Sequence, residues 1–131
     1  MTVTGFGNLA VKVSDLDAAL SFFEQAGASI SGRGPWHGGE RADAHLGPVL
    51  ITLFTRAIYE DSVSLPADGF LHAALFTDDL DAELAGQSVL WGPAEVVGVF
   101  GRRRIAFVEA PGNTRLEFME QLEPAPAPEE T

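Results

Sequence analysis

The chain has 131 residues, 46% of them hydrophobic, which is enough to form the core of one compact domain. Its 19 acidic and 8 basic residues give a net charge of −11, which disfavours binding to nucleic acid and to anionic membranes. It contains no cysteine, so disulfides, thiolate metal sites and a cysteine nucleophile are excluded. No apolar stretch approaches the ~20 residues of a membrane span, and we expect an unexported, cytoplasmic protein.

An internal repeat is the most informative feature of the sequence. The segment Gly5–Leu20 (GFGNLAVKVSDLDAAL) recurs without gaps as Gly69–Leu84 (GFLHAALFTDDLDAEL), with an offset of 64 residues and identity at eight of sixteen positions. Such a repeat indicates duplication of one supersecondary unit.

Each copy opens with a predicted strand whose alternate side chains face opposite sides. One side is uniformly apolar and should meet a helix: Leu9, Val11 and Val13 in the first copy, and Leu71, Ala73 and Leu75 in the second. The other side is mixed: Phe6, Asn8, Ala10 and Lys12, then Phe70, His72, Ala74 and Phe76. The two strands therefore predict one apolar and one mixed face for the sheet.

A helix is predicted directly after each of these strands. Good N-cap residues are Ser14 or Asp15 in the first copy and Asp78 or Asp79 in the second. Glycines end the helices at positions 27 and 86. Three extended runs then follow each helix, at 28–32, 41–46 and 49–54, and at 89–100, 103–108 and 115–119.

These elements predict a single domain over residues 1–120 that is built from two βαβββ modules. Module one covers about 4–56, a surface link covers 57–68, and module two covers about 69–120. Residues 121–131 alternate proline and alanine among glutamates, which predicts a disordered acidic tail.

The chain resembles the vicinal oxygen chelate superfamily of glyoxalases, bleomycin resistance proteins and extradiol dioxygenases. The resemblance is carried by NLAVKVSDLDAALSFF at the start of module one and PGNTRLEF at the end of module two, and it spans residues 5–119. It implies an α+β fold in which both modules form a curved mixed sheet around one cleft for a small organic molecule. The superfamily contains isomerases, lyases, dioxygenases, thiol transferases and metal-free antibiotic-binding proteins, so the fold alone does not define the activity.

The resemblance also implies four metal-ligand positions, which fall on Asn8, Thr52, His72 and Glu117. Only His72 and Glu117 are ionisable, whereas Zn or Fe normally needs three or four donors from histidine and carboxylate. One interpretation is a metal pair for Zn, Fe, Mn or Ni, completed by Asn8, water, substrate, or a histidine at position 37 or 45. The interpretation that we favour is a metal-free cleft in which these side chains hydrogen-bond a ligand or each other.

Aromatic residues suggest a ligand site for a flat apolar molecule. The candidates are Phe6, Phe70 and Phe76 on the opening strands and Trp36, Phe54, Trp91 and Phe107 on later strands or loops, although several of them would also serve as core residues. Trp36 lies beside glycines and His37, and we interpret it as a lid or pocket rim in a loop. Arg102–Arg104 would either clamp an anionic ligand or form a solvated hairpin.

The leading hypothesis is a non-catalytic protein that sequesters an aromatic natural product or antibiotic. The alternative is an enzyme: a metal-dependent lyase, isomerase or dioxygenase, or a metal-free cyclase, with His72 and Glu117 as catalytic residues. A third hypothesis is an inert partner subunit. We also expect a homodimer, which a light-scattering mass equal to one chain would contradict.

Overall fold

A computed structural model describes residues 2–124 of the chain. In chain order its elements are β1 (Val3–Lys12), α1 (Leu16–Gln25), β2 (Ser29–Trp36), β3 (Gly39–Leu46), β4 (Val49–Phe54), β5 (Gly69–Thr77), α2 (Leu80–Leu84), β6 (Ser88–Gly98), β7 (Gly101–Ala110) and β8 (Thr114–Glu123). The hydrogen-bonded order of the strands is β2-β3-β4-β1-β5-β8-β7-β6. Strand β4 runs parallel to β1 and antiparallel to β3. The predicted α+β fold class, with strand–helix–three strands occurring twice, is confirmed.

The described chain divides into two compact units whose limits differ from those of the repeats. The first unit is Phe6–Ala74, and the second combines residues 2–5 with 75–124. Both boundaries therefore fall inside strands, one within β1 and one within β5. Each unit contains residues from the opening strand of both repeats.

In the first unit, α1 covers the apolar side of the strands. Asp15 is the N-cap, because its Oδ1 accepts a hydrogen bond of 3.0 Å from the backbone N–H of Ala18. The buried residues Leu16 and Leu20 pack with Leu53 and Ala42, and partly buried residues complete this cluster: Val11, Val13, Ala19, Phe23, Ile30 and Ile51. The predicted contact between the apolar side of β1 and the helix is present.

The second unit repeats this arrangement with a shorter helix. Asp79 is the N-cap of α2, since its Oδ1 accepts from Ala82 N–H at 3.1 Å. Leu80 forms a buried cluster with residues of β7 and β8, namely Ala106, Val108 and Phe118, and Leu75, Leu84 and Leu116 pack against it. The face of these strands that carries Phe107 and Glu117 is opposite to the helix, because side chains alternate along a strand.

Two predicted irregular segments are more ordered than expected. The predicted surface link contains Ala57 and Tyr59, which are 2% and 1% exposed, so the prediction of a surface position is wrong at these two residues. The predicted tail also starts too early, because β8 continues through Glu123. The remainder of that tail, 125–131, lies outside the described residues. Neither α1 nor α2, the helices found between residues 2 and 124, is long and apolar enough to cross a bilayer.

Candidate functional site

The sheet of the first unit has a polar face on the side opposite to α1. Thr52 pairs with Asp43 of β3 and with Ala10 of β1, and Phe54 pairs with Arg41. Because side chains alternate along each strand, these residues face away from the apolar pair Leu53 and Ala42. Position 8 has the same parity as Ala10, so β1, β3 and β4 all contribute polar side chains to this face.

Four of these side chains form a continuous buried network. Asn8 Nδ2 donates to Thr52 Oγ1 at 2.9 Å, and Thr52 Oγ1 donates to Asp43 Oδ1 at 3.0 Å. Arg41 Nη2 donates to Asp43 Oδ2 at 2.6 Å. All four residues are buried, and Asp43 is only 1% exposed.

The network has a fixed direction. The Asp43 carboxylate only accepts hydrogen bonds, so the single hydroxyl proton of Thr52 is used in donating to it. Thr52 can therefore only accept from Asn8, which must present its NH₂ group rather than its carbonyl oxygen. The amide orientation of Asn8 follows from Asp43, two hydrogen bonds away.

An aromatic cluster lies beside the charged end of the network. The Arg41 guanidinium carbon is 4.9 Å from the centroid of the Trp36 ring, and the Trp36 and Phe54 rings are 6.5 Å apart. Among residues 2–124, Arg41 Nε is buried and has no hydrogen-bond partner. The Arg41 guanidinium contacts an aromatic ring and a carboxylate, and its Nε–H donor is unused.

Trp36 is not in a loop, contrary to the sequence-based expectation. It is the last residue of β2 and pairs with Gly39 across a two-residue turn of His37 and Gly38. Both turn residues have positive φ, 44° and 86°, as tight hairpin turns require. The strand therefore fixes the position of Trp36, whereas its proposed role at a pocket rim stays a prediction. Desolvation lowers the pKa of His37, whose ring is 4.7 Å from Trp36, and favours the neutral imidazole.

Another buried hydrogen bond in the first unit involves His72. The Tyr59 hydroxyl lies 3.0 Å from His72 Nδ1, and the two residues are 1% and 4% exposed. The contact fixes the orientation of the imidazole ring, and Nε2 is the ring nitrogen not used in it. Tyr59 comes from the segment between the modules, so this segment contributes to the candidate site.

In the second unit, Glu117 lies on a largely aromatic face. Glu117 pairs with Phe107, which pairs with Trp91, and the Phe107 and Trp91 rings are 6.0 Å apart. Phe107 and Glu117 are 2% and 5% exposed. Phe76, another predicted ligand residue, packs edge to face on Phe100 at 5.1 Å. Convergence of Glu117 with Asn8, Thr52 and His72 on one cleft stays a prediction.

The remaining candidates are two exposed phenylalanines and the three arginines at 102–104, which differ from one another in their surroundings. Phe6 and Phe70 are each 53% exposed. Arg102 and Arg104 form exposed ion pairs with acidic partners, as a solvated hairpin predicts. Arg103 differs, because it is buried with its guanidinium carbon 5.5 Å from the centroid of the Phe100 ring.

The sequence patterns did not single out Arg41, Asp43 or Tyr59 as site residues. A signal existed for the first two, because the predicted strand 41–46 alternates them with Ala42 and Ala44 and so places them on one face. Tyr59 lies in a segment without periodicity, and nothing in the sequence indicated its contact with His72.

Comparisons with protein-family models and with curated proteins give no match. Solved structures do match. Methylmalonyl-CoA epimerase from Mycobacterium tuberculosis superposes with a TM-score of 0.70 at 24% identity, covering 95% of this chain and 91% of that one. A glyoxalase/bleomycin resistance protein/dioxygenase superfamily member from Vibrio splendidus 12B01 gives 0.62 at 14% identity, with coverage of 92% and 100%. The 2,2',3-trihydroxybiphenyl 1,2-dioxygenase from Sphingomonas wittichii strain RW1 superposes with a TM-score of 0.63 at 18% identity. The match covers 88% of this chain and 42% of that one.

The chain has the vicinal oxygen chelate fold. The resemblance stated from the sequence motifs is thereby confirmed at the level of fold. Identities below a quarter of the aligned residues say nothing further about activity, because this fold supports different chemistries.

At two of the four metal-ligand positions that the sequence resemblance implies, the residues present do not fit a divalent cation. Asn8 and Thr52 are neutral, and Thr52 uses its proton on Asp43 while it accepts from Asn8. Within residues 2–124, no three histidine or acidic side chains are grouped closely enough to hold a metal ion. Zn and Fe sites need such a group, so these residues do not support a chemical step through a metal.

Proposed function

We propose that the chain binds a small planar organic molecule, without catalysis and without a metal, on the polar and aromatic face of the first unit. The observation that carries this proposal is the hydrogen-bonded network of Asn8, Thr52 and Asp43. It uses two of the expected metal-ligand positions for hydrogen bonds between protein side chains. Trp36 and Phe54 supply the aromatic surface that a planar ligand requires.

A thermal-shift screen of planar natural products, antibiotics included, in buffer with a chelator tests this proposal. Binding to the folded state raises its stability by roughly 2.7 kcal/mol when the ligand is at a hundred times its dissociation constant. We expect such stabilisation without added metal. Stabilisation that appears only after a divalent metal is added would contradict the proposal.

Two matched variants locate the bound molecule. Trp36→Leu removes the aromatic face next to Arg41, and we expect it to abolish most of the stabilisation. Phe22→Leu makes the same kind of change on α1, where the side chain is 66% exposed, and should leave the stabilisation intact. Equal responses from the two variants would place the ligand elsewhere.

The Tyr59–His72 hydrogen bond favours a second candidate, a metal-free isomerase or cyclase. His72 would act as acid or base, with its ring oriented by Tyr59. Similarity to methylmalonyl-CoA epimerase suggests a substrate with a proton next to a thioester carbonyl.

Proton exchange distinguishes the two candidates. Methylmalonyl-CoA in deuterated water would lose its α-proton signal in the presence of an isomerase. The His72→Gln variant would slow this exchange on the order of a hundredfold, the usual contribution of a general base. No exchange above the rate in buffer would eliminate this candidate for that substrate and leave the binding proposal unaffected.

A further inference from the structure

Arg41 has one hydrogen-bond donor that the polar network does not use. It is 8% exposed, its Nη2 donates to Asp43, and its Nε has no hydrogen-bond partner among residues 2–124. A buried donor without a partner destabilises the folded state, because it has lost its hydrogen bonds to water. A ligand oxygen that accepts from Nε–H would remove this cost.

The surroundings of Arg41 define the shape of the group that would reach this donor. Phe54 is its direct cross-strand partner, and the guanidinium carbon lies over the Trp36 ring, 4.9 Å from the ring centroid. The Nε–H bond lies in the plane of the guanidinium, so an acceptor must approach along that plane and beside the aromatic rings. A flat molecule with an oxygen at its edge fits this requirement.

Charge decides what kind of oxygen this is. Arg41 is already neutralised by Asp43, their contact being 2.6 Å, and the whole chain has a net charge of −11. A carboxylate would add a second negative charge beside Asp43 in a site with little exposure to water, where desolvation of the charge is costly. A neutral carbonyl accepts the same hydrogen bond without this cost.

We infer that the ligand is a neutral planar carbonyl compound, such as an aryl ketone, quinone or lactone, whose carbonyl oxygen accepts a hydrogen bond from Arg41 Nε. This inference rests on the proposed binding function and names its ligand class. Arg41 selects for the carbonyl, and Asp43 selects against an anion at the same position.

Three probes of nearly the same shape test the inference: methyl naphthyl ketone, ethylnaphthalene and naphthoate, substituted at the same ring position. Dissociation constants are measured by isothermal titration calorimetry on the unmodified protein. A hydrogen bond to a charged donor should make the ketone bind about tenfold tighter than ethylnaphthalene. The ketone should also bind tighter than naphthoate.

The Arg41→Lys variant removes Nε while keeping the positive charge near Asp43. We expect the ketone to lose its advantage over ethylnaphthalene, whose own affinity stays the same. If the variant does not fold, the three probes on the unmodified protein decide the question alone. In either protein, heteronuclear NMR of the arginine Nε–H signals reports which arginine the ketone contacts.

The outcomes separate the two proposals. Binding of all three probes with equal affinity, tightest binding of naphthoate, or an unchanged ketone preference in Arg41→Lys would overturn the inference and leave the binding function standing. No binding of any probe, together with no hit in the thermal-shift screen, would overturn the proposed function and this inference with it.

Discussion

The single hydroxyl proton of Thr52 makes position 8 sensitive to the difference between an amide and an acid. Asn8→Asp is nearly isosteric, yet its carboxylate would face an oxygen whose only proton is already donated to Asp43. Two buried acceptors would then compete for one donor, and both would be negatively charged.

We therefore predict that Asn8→Asp destabilises the protein more than Asn8→Ala does, by about 1–3 kcal/mol at about pH 7. The introduced carboxyl has a raised pKa, because its protonated form can donate to Thr52 and its charged form cannot. Its stabilising protonated form is present at low pH and lost as the pH rises. The excess destabilisation should thus shrink in urea unfolding at about pH 5, and an excess independent of pH would contradict the assigned proton order.

Glu60 gives a second prediction at this scale, one of pH dependence. Burial raises the pKa of Glu60, but hydrogen bonds from Lys12 Nζ at 2.7 Å and from Ala57 N–H at 3.0 Å, with the charges of Lys12 and Arg56, lower it below 4.5. An acid whose pKa is lower in the folded state stabilises the fold at pH values above its unfolded-state pKa. This contribution is lost as the pH falls through its folded-state pKa.

The free energy of unfolding of the wild type should accordingly exceed that of Glu60→Gln near neutral pH, and the difference should decrease as the pH falls below 4.5. Urea titrations of both proteins at several pH values measure it. A difference that is constant with pH would contradict the charge-based contribution of Glu60.

At the scale of elements, β2 approaches β3 so closely that one glycine is required. Gly32 has a φ of +65°, and a Cβ atom there would lie 2.6 Å from Asp43 Oδ2. Gly34, two residues along the same strand, has no atom within 4 Å of such a Cβ. The two glycines form a matched pair for testing the approach.

Gly32→Ala should destabilise the protein by about 1–3 kcal/mol. A residue with a Cβ atom rarely adopts the left-handed backbone conformation of position 32, and Asp43 would have to move. It should also weaken ligand binding, since Asp43 holds Arg41. Gly34→Ala should change the free energy of unfolding by less than about 1 kcal/mol. Similar midpoints of urea unfolding for both variants would contradict this account.

The elements were also the part of the structure that the sequence predicted best. The repeat and the period-two alternation placed the opening strands and assigned their faces, and the acidic N-caps placed the helix starts. Trp36 was misplaced because the hairpin turn His37–Gly38 uses a histidine at positive φ, where asparagine or glycine is the usual signal. Arg41 and Asp43 had the right strand parity, but the resemblance directed attention to the first and last strands only.

At the scale of the whole molecule, the limits of the compact units differ from the limits of the sequence repeats. Residues 69–74 begin the second repeat but belong to the first unit, and they include His72 with its partner Tyr59. No local signal in the sequence reveals this, because membership of a unit depends on pairing between residues far apart along the chain.

A fragment of residues 1–68, cut at the end of the predicted link, should therefore be unfolded on its own, since it lacks part of its own unit. A fragment of residues 1–78 regains β5 and should show more strand signal in circular dichroism. A folded 1–68 fragment with cooperative thermal unfolding would contradict the division into these units.

The placement of the unit boundaries inside β1 and β5 also bears on how such a gene can change. Recombination at the joint between the repeats would deliver a half whose opening strand is shared with a missing neighbour. We therefore expect that a chain divided between its repeats yields two pieces, each of which lacks part of a compact unit.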